Sequence, residues 1–562
     1  MIESLCGPEV NEDYIAHVAA LDEKLQQRPP DESHGLVAMQ TVAGQELHPD
    51  MEKLKSRSLV KIREYFLSKI GELRKPKTNV QMIQKAGLLK YHGLMHFLRR
   101  HQPEIADEIR ATYEESMGRT LHQLFKAYHS QLSKLELDIA TKHDLIVVEE
   151  PASKSMFSPK SAPASKRTDA FSSGDRANIL DSVESPPILV HVALAEEKRF
   201  PHEAILRSVL KHLMDAVTNE YLFCIDFFED RSGEAFNTIL GKTVSLILEN
   251  LENYLFSCWD SIGLLIMIKL VHGLRMVMQR RHIPVLDSFF DRINLLLWPR
   301  LKVILGAQLK SIEQTSPKRL GSITSKPHPM TRRYAEFASS IFSLHGGMES
   351  LGIAGGGEDM LLNDLMNLRI GFLKLLKRMS DELSTTKEKL VFLVNNYDQV
   401  LSLFRDRHVA GVELTSFEEL LVHYRSLFVE EELLERFANM ITFVQNTERN
   451  TTPGAATTVP GASPQDLSHR IDLAQVEAIV RGFAGMWRSG IEAIYQDVLE
   501  CFADFRNGME ILKQVLTQLL LYYTRFQEVI RREWGRQPPS FSAELVSTAT
   551  ILVEIKKYSR QL

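Results

Sequence analysis

Cysteine and tryptophan are scarce in this chain, with four of each in 562 residues. The cysteines, Cys6, Cys224, Cys258 and Cys501, lie far apart and form no CxxC pair, which argues against a disulfide framework and a cysteine zinc site. Long apolar runs are also missing. The most apolar stretch, "YLFSCWDSIGLLIMIKL" from Tyr254, is broken by Asp260 and Lys269, which predicts that it cannot span a bilayer unaided. The opening residues, MIESLCGPEVNEDY, carry acids early and no apolar block, so no secretory signal is expected. Neither sign of charge dominates: 67 Lys and Arg against 72 Asp and Glu leave a net charge of -5, which selects no class of partner. Alternating strand patterns are lacking, and Asn507-Gly508 lies between helical patterns, where it suits a helix end better than a hairpin.

What is present is helical periodicity, in a chain whose 44% hydrophobic content is ample for packed cores. Leu59, Ile62, Phe66 and Ile70 recur at three- and four-residue steps. Pro103 stands at the first position of a long segment striped by Ile105, Ile109, Tyr113, Met117, Leu121, Leu124 and Tyr128. Further stripes run Leu390, Leu393, Val394, Tyr397, Val400, Leu401, Phe404, and Leu512, Val515, Leu519, Tyr523, Phe526. Cys224 sits on the stripe Leu206, Leu210, Leu213, Val217, Tyr221, Cys224, Phe228, and Cys258 follows Leu251 and Tyr254 in the same manner. Both therefore read as small core hydrophobes in a reducing compartment.

Breaks in the pattern set the expected organisation. A helical segment with a basic hairpin covers 1–149, and a Ser/Pro/Lys-rich flexible linker covers 150–186, with Ser158-Pro159 a candidate phosphorylation site. A helical bundle follows over 187–344, then a glycine-rich joint at 345–359 and a second bundle at 360–445. A polar linker at 446–466 leads to a C-terminal bundle at 467–562. No short repeat suggests a regular solenoid.

Candidate chemistry is thin. Gly241-Lys242-Thr243 resembles the end of a phosphate-binding loop, but Phe236 stands where that loop needs a glycine. Leu240, Val244, Ile247 and Leu251 continue a helix through it, so Gly241 reads as a small residue in a helix–helix contact. His92 and His96 share a helix face, yet Gly93 replaces the glutamate of HExxH and no third ligand is near. No GxSxG is visible, and Glu430-Glu431-Glu432 reads as a solvated helix face. The sequence thus offers no catalytic, cofactor-binding or metal residue.

Charge patterning is more informative. Lys53 to Arg100 holds 13 Lys or Arg and two acids, Glu64 and Glu72. Either Glu104, Asp107, Glu108, Glu114 and Glu115 neutralise part of this surface, or Lys75, Lys77, Arg99 and Arg100 belong to a basic face for anionic lipid or an acidic protein. The interleaved aromatics Tyr65, Phe66, Tyr91 and Phe97 hint at nucleic acid, but Phe66 is on a buried stripe, and no nucleic-acid partner is expected. "PHPMTRRYAEF" (327–337) poses a sharper question. Arg332 and Arg333 fall in the first turn of a helix, where the dipole favours carboxylates. With Tyr334, Phe337 and Ile341 inward, Arg332 and Glu336 point outward as an i, i+4 pair, and such a pair is worth only ~0.3–0.5 kcal/mol. Arg332, Arg333 and Glu336 are therefore candidates for a partner contact, the alternative being a carboxylate on a neighbouring helix.

The blocks "KIREYFLSKIGELRKPKTNVQMIQKAGLLKY" (61–91), "EYLFCIDFF" (220–228), "LLWPRLKVIL" (296–305), "KPHPMTRRYAEF" (326–337), "LVFLVNNYDQVL" (390–401) and "ADFRNGMEILKQVLTQLLLYY" (503–523) resemble the vacuolar protein sorting-associated protein 52 family. The similarity runs in order from about residue 15 to the C-terminus. It implies an all-α, elongated rod of stacked helical bundles of the multisubunit tethering-complex type, joined by flexible linkers, with no catalytic residue and no cofactor. It further implies a subunit shared by the Golgi-associated retrograde protein complex and its endosome-associated recycling counterpart. The implied partners are sister subunits, a Rab-family GTPase and SNARE proteins of the syntaxin class, with anionic membrane contact as an addition. The implied place is cytoplasmic, peripheral on trans-Golgi network and endosome membranes. The family's N-terminal coiled-coil region is expected to lie outside this chain. The alternatives are a peripheral membrane-binding helical module using the basic 53–100 face, and a nucleotide-hydrolysing enzyme using Gly241–Thr243.

Overall fold

Three- and four-residue spacing of apolar side chains turns into helix throughout the computed structural model, which describes residues 7, 9–26, 42–75, 78–148, 170–230, 233–345, 357–451, 472–535 and 537–559. The helices are α1 (Glu12–Gln26), α2 (Val42–Glu72), α3 (His92–His101), α4 (Pro103–Leu132), α5 (Val190–Ala195), α6 (His202–Phe228), α7 (Glu234–Ser257), α8 (Ser261–Arg280), α9 (Asp287–Gln314), α10 (Pro329–His345), α11 (Gly357–Asp381), α12 (Thr386–Asp406), α13 (Val412–Thr451), α14 (Leu473–Cys501), α15 (Phe505–Trp534) and α16 (Thr548–Ser559). Among the described residues no strand forms, and the one β-type contact is the isolated bridge Glu136–Phe200. The chain is all-α, as expected.

Its helices gather into two compact units, one of residues 1–141 and 173–303, the other of 142–172 and 304–562. This differs from the four blocks read from sequence. The expected bundle at 187–344 is divided at 303, inside α9, because helix continuity does not mark where a core ends. The expected 360–445 and 467–562 bundles share one core, since α13 packs against both α12 and α15. The linker expected through 186 is built into the fold from Ala170 onward: Ala170 and Phe171 are buried, and Gly174–Leu180 forms a 3-10 helix. Ser158 and residues 346–356 of the glycine-rich joint lie outside the described residues.

In the first unit, α4 lies closely along α7. A Cβ on Gly118 would sit 3.0 Å from the Ile239 carbonyl oxygen, so the two backbones approach closely enough that any side chain here would press on α7. Helix α8 is the most enclosed element. It is long and apolar enough to cross a bilayer by length and composition, but Ile262 to Ile268, Leu270, Val271, Leu274, Val277 and Met278 are buried inside the unit. Asp260, which interrupts the apolar run in sequence, caps this helix by accepting from the Gly263 amide at 2.9 Å. Arg176 reaches Asp260 and, at 2.6 Å, Glu203, tying the 3-10 helix to α6 and α8. Cys224 and Cys258 are buried as expected, and burial pushes both thiols up, Cys258 to about 11.

One buried carboxylate in this unit lacks a cation. Glu220 of α6 accepts from Tyr113 of α4 at 2.5 Å and from Gln84 at 2.9 Å. Gln84 reaches inward from a π-helical turn, Ile83–Leu88. Burial pushes the Glu220 carboxyl up to about 7, against the two hydrogen bonds that favour its ionised form.

In the second unit the α12 stripe is fully buried, as are the five α15 positions, and α12 opens with a capping box between Thr385 and Glu388. Helix α13 kinks at Phe437 (φ -127°, ψ 29°), whose ring sits where a Cβ on Gly490 of α14 would lie, 2.6 Å away. Asn507 and Gly508 fall in the first turn of α15, where Asp504 accepts from the Asn507 amide.

Because the folded carboxyl of Glu220 binds its proton more tightly than the unfolded one, the stability this group contributes is greatest below the ordinary carboxylate value of 4.5. It declines as pH rises toward about 7 and is level above that. Glu220→Gln removes this term. Urea unfolding of the variant and the parent chain is expected to diverge in the variant's favour between pH 4.5 and 7.5, by on the order of 3 kcal/mol. Parallel curves over that range would show that Glu220 does not titrate there.

Candidate functional site

Two asparagines sit in the middle of the apolar α12 stripe, in "LVNNYDQV", and both are buried. Asparagine is a poor helix former, and at such positions its amide needs partners. Asn396 accepts from the His328 amide at 3.0 Å and from the Thr331 hydroxyl at 2.5 Å, while its own amide donates to the Phe392 carbonyl. Asn395 donates to the carbonyls of Ser325 at 2.9 Å and Cys501 at 2.8 Å. The His328 ring accepts from the Met330 amide at 3.2 Å. The pair thus holds together the α9–α10 loop, the first turn of α10 and the α14–α15 junction.

A charged cluster lies at the start of the same helix. Lys387 of α12 meets Glu432 at 2.6 Å and Glu435 at 2.9 Å on α13, and Asp497 at 3.0 Å on α14, and Arg436 also reaches Asp497. The three carboxylates are close enough together to hold a cation, and Lys387 and Arg436 already serve that purpose. Glu430–Glu432 is therefore not the solvated face expected from sequence. Glu432 is fully buried, which raises its pKa against the pull of Lys387, and Glu430 accepts from the Tyr522 hydroxyl at 2.8 Å. Further along, burial and the neighbouring Asp504 push the Asp398 carboxyl up to about 6, with Arg425 at 3.8 Å opposing them.

The first unit contains a cleft of about 260 Å³ lined by His129, Glu136, Asp138, His202, Tyr254 and Trp259, among others. His202 stacks flat on Tyr254 and meets Glu136 at 2.7 Å. Burial, with His202 nearby, lowers the His129 pKa. The nucleophile-type groups here are engaged otherwise: the Ser133 hydroxyl donates to the His129 carbonyl, and the buried Cys258 thiol donates to the Tyr254 oxygen. The cleft holds no activated nucleophile among the described residues.

The sequence candidates fall as follows. Gly241–Thr243 lies inside α7, with Thr243 buried. Gly241 is exposed and has open space beside it, so it is not the helix-contact residue expected; Gly118 has that part. His92 and His96 are adjacent rings on α3, and His96 lies 3.1 Å from Glu229. In the basic segment, Arg63 pairs with Glu108, Arg74 with Glu115 and Lys90 with Glu12. Arg99 binds Glu229 at 2.6 Å and the Phe228 carbonyl, and Arg100 binds Asp22 at 2.5 Å. Lys75 is exposed, and Lys77 lies outside the described residues. Arg332 is exposed and Arg333 half-buried, but Glu336 is only 6% exposed and pairs with Arg407 at 3.2 Å, not with Arg332. The outward i, i+4 pair does not form because α10 is enclosed on nearly every side from Tyr334 to Ile341, which draws Glu336 inward.

Residues 115–429 match the family model described as Vps52, C-terminal, and residues 1–98 match the model described as Vps52/Sac2 family, coiled-coil. The latter match includes sequence expected to lie outside the chain. Vacuolar protein sorting-associated protein 52 A of Arabidopsis thaliana is 36% identical over 100% of this chain and 75% of its own length. The Mus musculus homolog of vacuolar protein sorting-associated protein 52 is 34% identical over 93% of this chain and 70% of its own, and the Homo sapiens homolog 33% over 98% and 74%. Among solved structures, the S. cerevisiae exocyst component Exo70p overlays 97% of this chain and 95% of its own with TM-score 0.47 and 11% identity, a likeness that carries no functional argument.

Asn396→Ala leaves the His328 amide and the Thr331 hydroxyl without their buried partner. At about 1–3 kcal/mol for each stranded group, a loss of roughly 2–4 kcal/mol is expected in denaturant unfolding. An unchanged midpoint would show that water or rearrangement satisfies both.

Proposed function

Since the chain belongs to the Vps52 family, we propose that it is a non-catalytic subunit of a vesicle-tethering complex. In this reading it acts in retrograde transport from endosomes to the trans-Golgi network and in endosomal recycling. It does so by scaffolding contacts with sister subunits, a Rab GTPase and syntaxin-class SNAREs, from the cytoplasmic side of trans-Golgi and endosomal membranes.

The observation that carries the proposal is similarity to proteins named for vacuolar protein sorting over essentially the whole chain. The physical character of the fold is compatible with it. Packed helices make stiff bodies with many separate outer faces, and several weak contacts on one stiff body raise effective concentration without a single tight site. The polar clusters hold helices together, Lys387 joining α12 to α13 and α14 and Asn395 joining α12 to the loop before α10, which suits a scaffold. The membrane-module alternative draws less support, because Arg63, Lys90, Arg99 and Arg100 of the basic segment are engaged by carboxylates of the same unit.

Affinity purification of the tagged chain from cells, with mass spectrometry of what accompanies it, is the direct test. Other subunits of one tethering complex are expected in comparable amounts, and the fluorescent chain is expected on trans-Golgi and endosomal membranes. Recovery of the chain alone, or a uniform cytosolic signal, would count against the proposal.

A further inference from the structure

The sequence points to residues 53–100 as the basic surface, but the structure leaves open cations elsewhere. From Gln314 to Ala335 the chain carries five Lys or Arg and no Asp or Glu. Glu336, the next carboxylate and the one spaced to pair with Arg332, is buried and taken by Arg407. Lys318, Lys326 and Arg332 are all exposed, and none makes an ion pair with a described residue. Arg319 and Arg333 flank them and are engaged within the fold.

The backbone carrying these three cations is tightly held. Asn395 binds the Ser325 carbonyl, the residue before Lys326. Asn396 binds the His328 amide and the Thr331 hydroxyl, the residue before Arg332. The His328 ring lies 3.3 Å from the Leu320 carbonyl oxygen, and the Leu320 side chain, two residues after Lys318, is buried. The positive end of the α10 dipole adds to the same field. Cations on a fixed backbone lose less freedom when they bind than cations on a loose loop. The described residues from Leu305 to His345 expose no large hydrophobic side chain, so nothing in this segment would insert into a bilayer.

We infer that the α9–α10 loop and the first turn of α10 form a docking face for a carboxylate-rich segment of a partner protein, bound by Lys318, Lys326 and Arg332. Arg332 is the directional anchor, since a guanidinium can take a carboxylate through two parallel hydrogen bonds, and the lysines contribute as point charges. The face stands independently of the tethering assignment: it needs only an acidic partner.

The test uses the full chain and a fluorescein-labelled oligoglutamate peptide, followed by anisotropy at low and physiological salt. The parent chain is expected to bind, more weakly as salt rises. The triple variant Lys318→Glu, Lys326→Glu, Arg332→Glu is expected to bind at least about tenfold more weakly, with an unchanged melting temperature because none of the three has a partner to lose. A control triple of equal charge change on exposed lysines of the other unit, Lys85→Glu, Lys242→Glu and Lys302→Glu, is expected to stay within about twofold of the parent. If the first triple melts early, the neutral variant Lys326→Gln, Arg332→Gln carries the same expectation with a smaller loss. Equal weakening by both triples would overturn the site, and so would no peptide binding by the parent chain. Binding to phosphatidylserine vesicles without binding to the peptide would also overturn it, in favour of lipid.

Discussion

The hydrogen bonds of Asn395 and Asn396 are the constraint on which the second unit depends. Helix α12 is buried all along its stripe, so an amide there must be matched or its desolvation is lost outright. The partners lie about 70 and 106 residues away in sequence, on the α9–α10 loop and at the α14–α15 junction. Apolar contacts tolerate sliding and rotation; these directional bonds do not, and they fix which turn of α12 faces which loop. The Lys387 cluster applies the same logic more than two turns earlier on the helix, where one ammonium group gathers carboxylates from α13 and α14.

The first unit solves its polar burial in two different ways. Arg176 pairs with both Asp260 and Glu203, and a Cβ on Gly263 would crowd the Asp260 carboxylate and the Arg176 guanidinium. Glu220 has no cation and relies on Tyr113 and Gln84, so its proton affinity rises instead. The π-helical turn at Ile83–Leu88 accompanies this choice, since it carries the Gln84 amide into the core.

Charge on the surface follows from the same accounting. Carboxylates brought in from distant segments, Glu12, Asp22, Glu108 and Glu229, meet Lys90, Arg100, Arg63 and Arg99 of the 53–100 stretch. Lys318, Lys326 and Arg332 meet no such carboxylate among the described residues, and Glu336, spaced to reach Arg332, turns inward to Arg407.

Helix type and most buried stripes were legible in the sequence, because periodicity is a local property: Ile62, Phe66, Ile70 and the α12 and α15 stripes are buried as their spacing demands. The family was legible too, through contiguous blocks. The asparagine pair was visible as an interruption of an apolar stripe, but its partners were not, and neither was the burial of Glu336 and Glu432. Those depend on which faces a helix has covered by neighbours remote in sequence, and α10 and α13 are covered on sides that a one-stripe pattern leaves outward. The division into two units was equally out of reach, since α9 continues unbroken across it. Spacing settled that the chain is helical, and the resemblance of contiguous blocks settled what it is related to; the pairing of charges, the buried amide bonds and the cations left over were settled only by packing, because each is a meeting of groups that the chain itself holds far apart.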